Sequence, residues 1–220
     1  MMNYQIYQKS LNTIGVKLTA GKNYLNCYNS YMKFENEWDY YLNNIFLKHL
    51  NTQNDILRVV LFESAPNGLY PNANYIFSNL KNTIHGITDR YLYQTYKAFI
   101  QQVPNPSPTK LECLSFLARQ NVLIIDLFPF HGFQLNPKIR KEINSNLASL
   151  CDYKKINSTI IHIRHLCSNI QIHTAYGTPP KINYASINKN INGAKSFGSF
   201  TSGSGFPSFN LLDHIIKKGF

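Results

Sequence analysis

Apolar and polar residues follow one another along the chain in blocks that predict buried strands separated by helices. Ile56–Phe62 is an apolar run broken only by Arg58 and rich in β-branched residues, and Val122–Ile125 is continuously apolar. Such runs are typical of parallel strands that are covered on both faces. Two further strands are predicted at Ile170–Tyr176 and Ser196–Thr201.

Between these strands, apolar side chains recur every three or four positions, which is the period of a helix with one buried face. The strongest pattern is an aromatic stripe that runs from Cys27 to Leu50. Four further helices are predicted: Tyr93–Val103; Leu111–Arg119, with Leu111, Leu114 and Leu117 inward; 137–150; and Ile156–Leu166, with Ile156, Ile160, Ile163 and Leu166 inward. A last helix is predicted at Phe209–Lys218.

The order of these elements predicts an α/β protein, a three-layer α/β/α domain around a short, mostly parallel, four-stranded central sheet. A chain of 220 residues is long enough for one such domain, and we expect a single domain, 1–220, whose first part, 1–55, is a helical lead-in. Within that part, residues 1–26 are predicted to be irregular, with one short element around Ile14–Leu18. The Asn-rich and Lys-rich residues 181–195 are predicted to be a loop.

The charge of the chain is strongly positive and unevenly distributed. There are 22 Lys and Arg residues against 11 Asp and Glu residues, a formal net charge of +11. Residues 1–55 carry five bases and four acids, residues 56–135 six and four, and residues 136–220 eleven and three, so the last part alone contributes +8. Such a field usually indicates a polyanionic partner. Nucleic acid is therefore the first partner to expect.

The cysteines and the hydropathy predict a cytoplasmic protein without a membrane segment. Cys27, Cys113, Cys151 and Cys167 form no C-x-x-C pair, and the N-terminus does not resemble a signal peptide. No apolar run approaches the about 20 residues that span a bilayer. We expect reduced thiols, no contact with a membrane and a monomer.

Several chemistries are disfavoured by the spacing of their usual residues. His162 and His165 lie near Cys167, but His162 and Cys167 fall on different faces of a helix, and no carboxylates join them, so no metal is predicted. Ser64 and Ser204 lack the G-x-S-x-G pattern of a serine hydrolase. The Gly-rich loop before the last helix lacks the lysine of a P-loop.

Two of the predicted strands end in carboxylates, Glu63 after the first and Asp126 after the second. The carboxyl ends of parallel strands form the edge of a sheet at which ligands bind. Tyr70, Tyr75 and Phe77 follow the first loop, and with the two carboxylates they predict a pocket for a flat, polar ring. The alternative is a tight connection between a strand and a helix, whose aromatic residues only pack.

These strand ends resemble the motifs of the uracil-DNA glycosylase superfamily, over about Ile56 to the C-terminus. Phe62-Glu63-Ser64-Ala65-Pro66 resembles the family's first loop, with its Gly, Gln or Glu, and Pro, and Phe77 stands where the family places an aromatic that stacks on the extruded base. Asp126 takes the position that reads the base edge, often Asn. Tyr176-Gly177 resembles the end of the third strand, and Gly205-Phe206-Pro207-Ser208 resembles the loop that presses on the DNA backbone.

The chain departs from that family at two functional positions. The place of the Asp that positions water falls on Ser64 or Ala65, and Phe206 stands where a His usually stabilises the departing base. Some members bind an iron-sulfur cluster through four cysteines, two of them close together near the N-terminus. Cys27 has no such neighbour, so no cluster and no other cofactor is expected.

The chemistry of such an enzyme assigns roles to the remaining residues. A base inside a duplex must be extruded into a pocket that stacks it and hydrogen-bonds it, which we expect of Pro66, Tyr70, Tyr75, Phe77 and Asp126. Asp126 accepts hydrogen bonds when ionised and also donates one when protonated. Bond cleavage builds positive charge on the sugar while a base activates water, and Glu63 is the candidate, with Ser64 and His131 beside it. A lone histidine in a loop is more often structural, and this is the alternative for His131.

A phosphate of the DNA backbone is expected at the start of the last helix, where backbone N–H groups point outward. The residues predicted to hold it are Lys195, Ser204, Gly205, Phe206, Pro207 and Ser208. The rival interpretation is a relative that binds nucleic acid or protein without catalysis. A third is an enzyme acting on free nucleosides or nucleotides, for which the charge of the last part is excessive.

Overall fold

The computed structural model describes residues 3–13, 24–62, 75–84, 89–100, 107–127, 152–177, 184–202 and 207–220. It contains four strands: β1 (Ile56–Phe62), β2 (Val122–Asp126), β3 (Gln171–Tyr176) and β4 (Ala194–Ser199). They form one parallel sheet in the order β2-β1-β3-β4. The predicted four-stranded α/β fold is therefore confirmed. The division of the helices into layers on either side of the sheet stays a prediction.

The central position of β1 explains why its sequence is apolar except at Arg58. It pairs with β2 on one side and β3 on the other, and Val59, Val60 and Leu61 have no exposed surface. Each such side chain contributes about 1.5–3 kcal/mol by leaving water. Because all strands run the same way, their carboxyl ends meet at one edge, which we call the carboxyl edge.

The first two helices are α1 (Tyr4–Thr13) and α2 (Tyr24–Tyr41); α2 continues through a π-helical turn, Leu42–Phe46, and a last α-helical turn, Leu47–His49. The aromatic stripe of α2 is buried as predicted. One of its members, Trp38, donates a hydrogen bond from Nε1 to the carbonyl oxygen of Ile124 at 3.1 Å. Because β2 is at an edge of the sheet as far as the chain is described, this bond satisfies a carbonyl group that no described strand pairs.

The remaining helices connect the strands or follow them: α3 (Arg90–Phe99), α4 (Lys110–Arg119), α5 (Tyr153–Leu166), α6 (Tyr184–Asn188) and α7 (Phe209–Lys217). A capping box fixes the start of α4, since Thr109 accepts from the backbone N–H of Glu112 and the Glu112 side chain accepts from the N–H of Thr109. Helix α3 packs against both α4 and α7.

Two leucines predicted to face inward are exposed instead. Leu111 is 40% exposed because α4 begins at Lys110, and this first residue takes the inward position. Leu166 is 51% exposed because it ends α5, and the next inward position falls on Cys167. In both helices the buried face is rotated by about one residue from the face that the leucines predict. Lys110 and Cys167 occupy the inward positions that were assigned to Leu111 and Leu166.

Two segments predicted to be irregular contain regular structure. Part of residues 1–26 forms α1, in which Tyr7 is fully buried against the rings of Tyr28 and Tyr31; Ile14–Leu18 lies outside the described residues. Part of residues 181–195 forms α6 and the start of β4. Helix α6 has only five residues, too few to show a period in the sequence.

Among the residues that the structure describes, no helix is both long enough and apolar enough to cross a bilayer.

Candidate functional site

The carboxyl edge brings the ends of three strands together. Phe62, the last residue of β1, is the partner of Asp126, the last residue of β2. On the other side, Leu61 pairs with Tyr176 at the end of β3. Asp126 therefore lies where the sequence predicted a base-reading residue, immediately beside the point at which the chain leaves β1 toward Glu63.

The side chain of Asp126 is almost completely buried, with 8% of its surface exposed. Its Oδ2 accepts a hydrogen bond of 2.9 Å from the hydroxyl group of Tyr75. Burial raises the pKa of Asp126 to about 6, against the charge of Lys155 and the Tyr75 hydrogen bond, which both lower it. A carboxyl group with this pKa changes between its protonated and ionised forms at a pH close to neutrality.

Tyr75 belongs to a cluster of rings that orients its hydroxyl group. Its ring meets Phe34 edge-on at a centroid distance of 4.5 Å and Phe77 edge-on at 5.1 Å. Burial, together with the neighbouring Asp126, raises its pKa well above the usual value of 10, so the hydroxyl group keeps its proton. Tyr75 is thus a fixed donor toward Asp126.

Phe77, the predicted stacking residue, is 2% exposed and stacks on Tyr41 with a centroid distance of 4.4 Å. It also lines an open cleft of about 560 Å³ along α2, together with Met32, Tyr40 and the amide side chain of Asn36. Tyr41 therefore covers one face of Phe77, and almost none of the residue's surface is exposed to the cleft. Its stacking on a base stays a prediction.

A lysine on α5, Lys155, lowers the pKa of Asp126 through its positive charge. Lys155 Nζ lies 2.7 Å from Oε1 of Glu35 and 4.0 Å from the centre of the Trp38 ring. Asp152 places it there: the Asp152 backbone N–H donates to the carbonyl oxygen of Leu127 at 2.8 Å, and its Oδ1 accepts from the backbone N–H of Lys155 at 3.0 Å. The start of helix α5 thus lies beside the end of β2, although residues 127–152 separate the two elements in the chain.

A second lysine fixes the turn that carries Tyr75 and Phe77. Lys110 Nζ donates to the carbonyl oxygens of Tyr75 at 2.8 Å and Ser78 at 3.1 Å, and it lies 3.3 Å from Asp89 Oδ1. Burial lowers the pKa of Lys110, and Asp89 opposes that shift. This role could not be predicted from the sequence, because a lysine in the first turn of a helix is ordinarily exposed.

Gly177, after β3, packs against the end of β1. A Cβ atom at this position would overlap the ring of Phe62 and approach that of Phe200. The Gly177 N–H also donates to the carbonyl oxygen of Leu61 at 2.8 Å. A glycine is therefore required here by close packing.

Pro207 and Ser208 lie just beyond the carboxyl end of β4. The Ser208 N–H donates to the carbonyl oxygen of Phe200 at 2.9 Å, and a small cleft of about 200 Å³ beside them is also bordered by Arg90 and Gln94 of α3. Lys195 is not brought to this place: it is the second residue of β4 and pairs with His173. At about 3.3 Å per residue, it lies more than 10 Å back along the strand.

Eight of the predicted site residues lie outside the described part of the chain: Glu63, Ser64, Pro66, Tyr70, His131, Ser204, Gly205 and Phe206. The structure therefore describes Tyr75, Phe77 and Asp126 of the predicted base-binding set, and Lys195, Pro207 and Ser208 of the predicted backbone-binding set. In the described residues, no group of three or more His, Cys, Asp or Glu side chains is placed to hold a metal ion.

Comparison of the chain with protein-family models, with curated proteins and with solved structures found no match. Function is therefore inferred from the residues of the carboxyl edge themselves.

Proposed function

We propose that this protein hydrolyses the N-glycosidic bond of an extruded, deaminated or damaged base in DNA, in the manner of a uracil-DNA glycosylase. The observation that carries the proposal is the buried Asp126 at the end of β2, held by the Tyr75 hydroxyl group beside the end of β1. A buried polar group with a fixed donor suits the recognition of one base edge more than it suits the core, where it lowers stability.

In this reaction, the bond between C1′ of the sugar and the base nitrogen breaks, and the bonding electrons leave with the base. The sugar becomes cation-like, and a water oxygen then forms a bond to C1′. Glu63 takes a proton from that water, and the departing base gains a proton from solvent. The residues of this chain that hold the base are Asp126 at its polar edge and Phe77 at its face. A base that is still paired and stacked in a duplex cannot make both contacts, so it must be extruded first.

DNA is the proposed partner because the charge excess lies toward the C-terminus, where residues 136–220 contribute +8. In our proposal, the phosphate backbone lies along the carboxyl edge near Pro207 and Ser208, and the protein acts in the cytoplasm as a monomer. Neutralised phosphates release counterions, so binding should weaken steeply with salt. An enzyme acting on free nucleosides would show little such dependence.

The test incubates the protein with oligonucleotides that carry uracil, hypoxanthine, xanthine or a normal base, and then cleaves abasic sites with alkali. We expect strand breaks at one of the altered bases and none with Glu63→Gln. The matched control is Glu112→Gln, because glutamine also completes the capping box at the start of α4. Loss of activity in both variants would point to general damage and would contradict the role of Glu63.

The second candidate is a relative that binds nucleic acid without catalysis. It is favoured by the residues at the two departures from the family pattern, Ser64 and Phe206, neither of which replaces the missing Asp or His chemically. No strand breaks at any base, together with salt-sensitive DNA binding, would establish this candidate and exclude the hydrolase.

A further inference from the structure

The carboxyl group of Asp126 has one oxygen already engaged. Oδ2 accepts the hydrogen bond from Tyr75, and Tyr75 keeps its proton because burial and Asp126 itself oppose its ionisation. When Asp126 takes up a proton, the proton therefore goes to Oδ1, and Oδ2 remains the acceptor. When Asp126 is ionised, both oxygens are acceptors.

Resting on the proposed function, we propose that the charge of Asp126 selects the edge of the base that the site accepts. The ionised carboxylate pairs with two adjacent donors, a ring N–H and an exocyclic amine, as guanine presents them. The protonated carboxyl group pairs with a donor next to an acceptor, a ring N–H and a carbonyl oxygen, which hypoxanthine and uracil present and which guanine presents on the other side of its ring N–H. Protonation therefore removes the preference for guanine.

The selection follows from the atoms that face each other. A lactam edge brings a carbonyl oxygen toward the carboxyl group, and two acceptors without a proton between them repel. The same edge is complementary once Oδ1 carries a proton. An amine at that place reverses the preference, because its N–H donates to a carboxylate and collides with an O–H group. A correct pair of this kind typically discriminates against the wrong base by roughly ten- to a hundredfold.

Burial, two charged side chains and the hydroxyl group of Tyr75 set the protonation state of Asp126. Burial is the largest influence and favours the protonated form. Lys155 of α5 and the Tyr75 hydroxyl group favour the ionised form, whereas Glu35 of α2 favours the protonated one. Glu35 is itself paired with Lys155 at 2.7 Å. Lys155 and Glu35 act through Asp126 and are therefore positioning residues. Their opposite effects help to keep the pKa of Asp126 within the pH range that can be tested.

The test uses two single-stranded oligonucleotides that differ only in one base, guanine or hypoxanthine, so that they differ by one exocyclic amine. A 2′-fluorine on that nucleotide keeps the glycosidic bond intact during the measurement. Dissociation constants are measured at pH 5 and pH 8. The quantity compared is the dissociation constant of the guanine probe divided by that of the hypoxanthine probe. Effects of pH on backbone binding act on both probes and cancel in this ratio.

We expect the ratio to move toward hypoxanthine by about tenfold between pH 8 and pH 5. Asp126→Asn should remove this dependence, since an amide does not titrate, and Asp152→Asn, which keeps the helix cap of α5, should retain it. Tyr75→Phe offers a second variant if Asp126→Asn fails to fold: without the hydroxyl group, the midpoint of the change should move to higher pH.

An unchanged ratio at the two pH values, or no preference of either probe over the same oligonucleotide without the test base, would overturn this inference. Its failure is distinct from that of the proposed function. Strand breaks with a pH-independent ratio would leave the glycosylase standing and remove the switch. A pH-dependent ratio without strand breaks would support the switch in a protein that binds bases and does not cleave.

Discussion

The hydroxyl group of Tyr75 and the carboxyl group of Asp126 are hydrogen-bonded at 2.9 Å although 51 positions separate them in the chain. Each group alters the other: the carboxylate opposes ionisation of the tyrosine, and the hydroxyl group favours ionisation of the aspartate. Because the pair is buried at the end of β2, its protonation is tied to the folding of the whole protein. This connection makes the site measurable through stability as well as through binding.

The stability of the protein should fall as Asp126 ionises. The pKa of this group is raised by burial from 3.8 to about 6 in the folded state, so between these values the folded protein binds more protons than the unfolded chain. Stability from this group is therefore complete below about pH 3.8 and lost as the pH rises through 6. The difference corresponds to roughly 3 kcal/mol.

Urea unfolding of the wild type and Asp126→Asn at pH 4.5 and pH 7.5 measures this contribution. The variant should gain stability relative to the wild type at the higher pH, by about 2 kcal/mol more than at the lower pH. Asp213→Asn, on the outside of α7, is the matched control and should show only a small difference. A relative stability of Asp126→Asn that is the same at both pH values would show that burial does not perturb this group.

Lys110→Met should destabilise the protein by about 3–5 kcal/mol, the usual result of removing one partner of a buried ion pair. The substitution removes the cation beside Asp89 and the donor to the carbonyl oxygens of Tyr75 and Ser78. Chemical unfolding gives the magnitude. Lys81→Met, at an exposed position of the same turn region, should change stability by less than about 0.5 kcal/mol. An equal loss of stability in the two variants would mean that the contacts of Lys110 do not stabilise the turn.

The sequence predicted the parts of this site that depend on neighbours in the chain. β1 and β2 were predicted to within one residue because a strand covered on both faces is continuously apolar, and Asp126 stood out as the polar residue that ends such a run. The pairing of Lys155 with Glu35 joins residues 120 positions apart. Such a pair depends on how α5 and α2 pack, and no local pattern encodes it.

Lys195 was predicted to lie beside the phosphate-binding residues only because it is close to them in the sequence. It precedes the predicted phosphate-binding residues by about a dozen positions, but β4 is an extended strand, and Lys195 enters it at the end remote from Pro207. Arg90, which borders the cleft beside Pro207 and Ser208, comes from α3 instead. The basic residue beside Pro207 and Ser208 therefore comes from a helix in a distant part of the chain.

Gly177→Ala should destabilise the protein by about 1–3 kcal/mol, because the added Cβ overlaps the Phe62 ring and the core must shift. Phe62→Leu combined with Gly177→Ala should recover part of that loss, since the smaller side chain leaves room. Gly198→Ala is the contrast: nothing lies within 4 Å of its added Cβ, and only its φ of +80° resists the change. A double variant no more stable than Gly177→Ala alone would locate the clash elsewhere.

Phe77→Leu should weaken the binding of an extruded base by about 1–3 kcal/mol, the range found for stacking on an aromatic ring. It should also lower stability, because Phe77 is buried against Tyr41. Tyr41→Leu removes the other half of the same stacked pair and has no predicted contact with a base, so it separates the two effects. Binding is measured by titration of a hydrolysis-resistant oligonucleotide at a temperature where both variants are folded. If the two variants bind equally well, Phe77 serves only the core, and the ring face of the proposed base site must come from another residue.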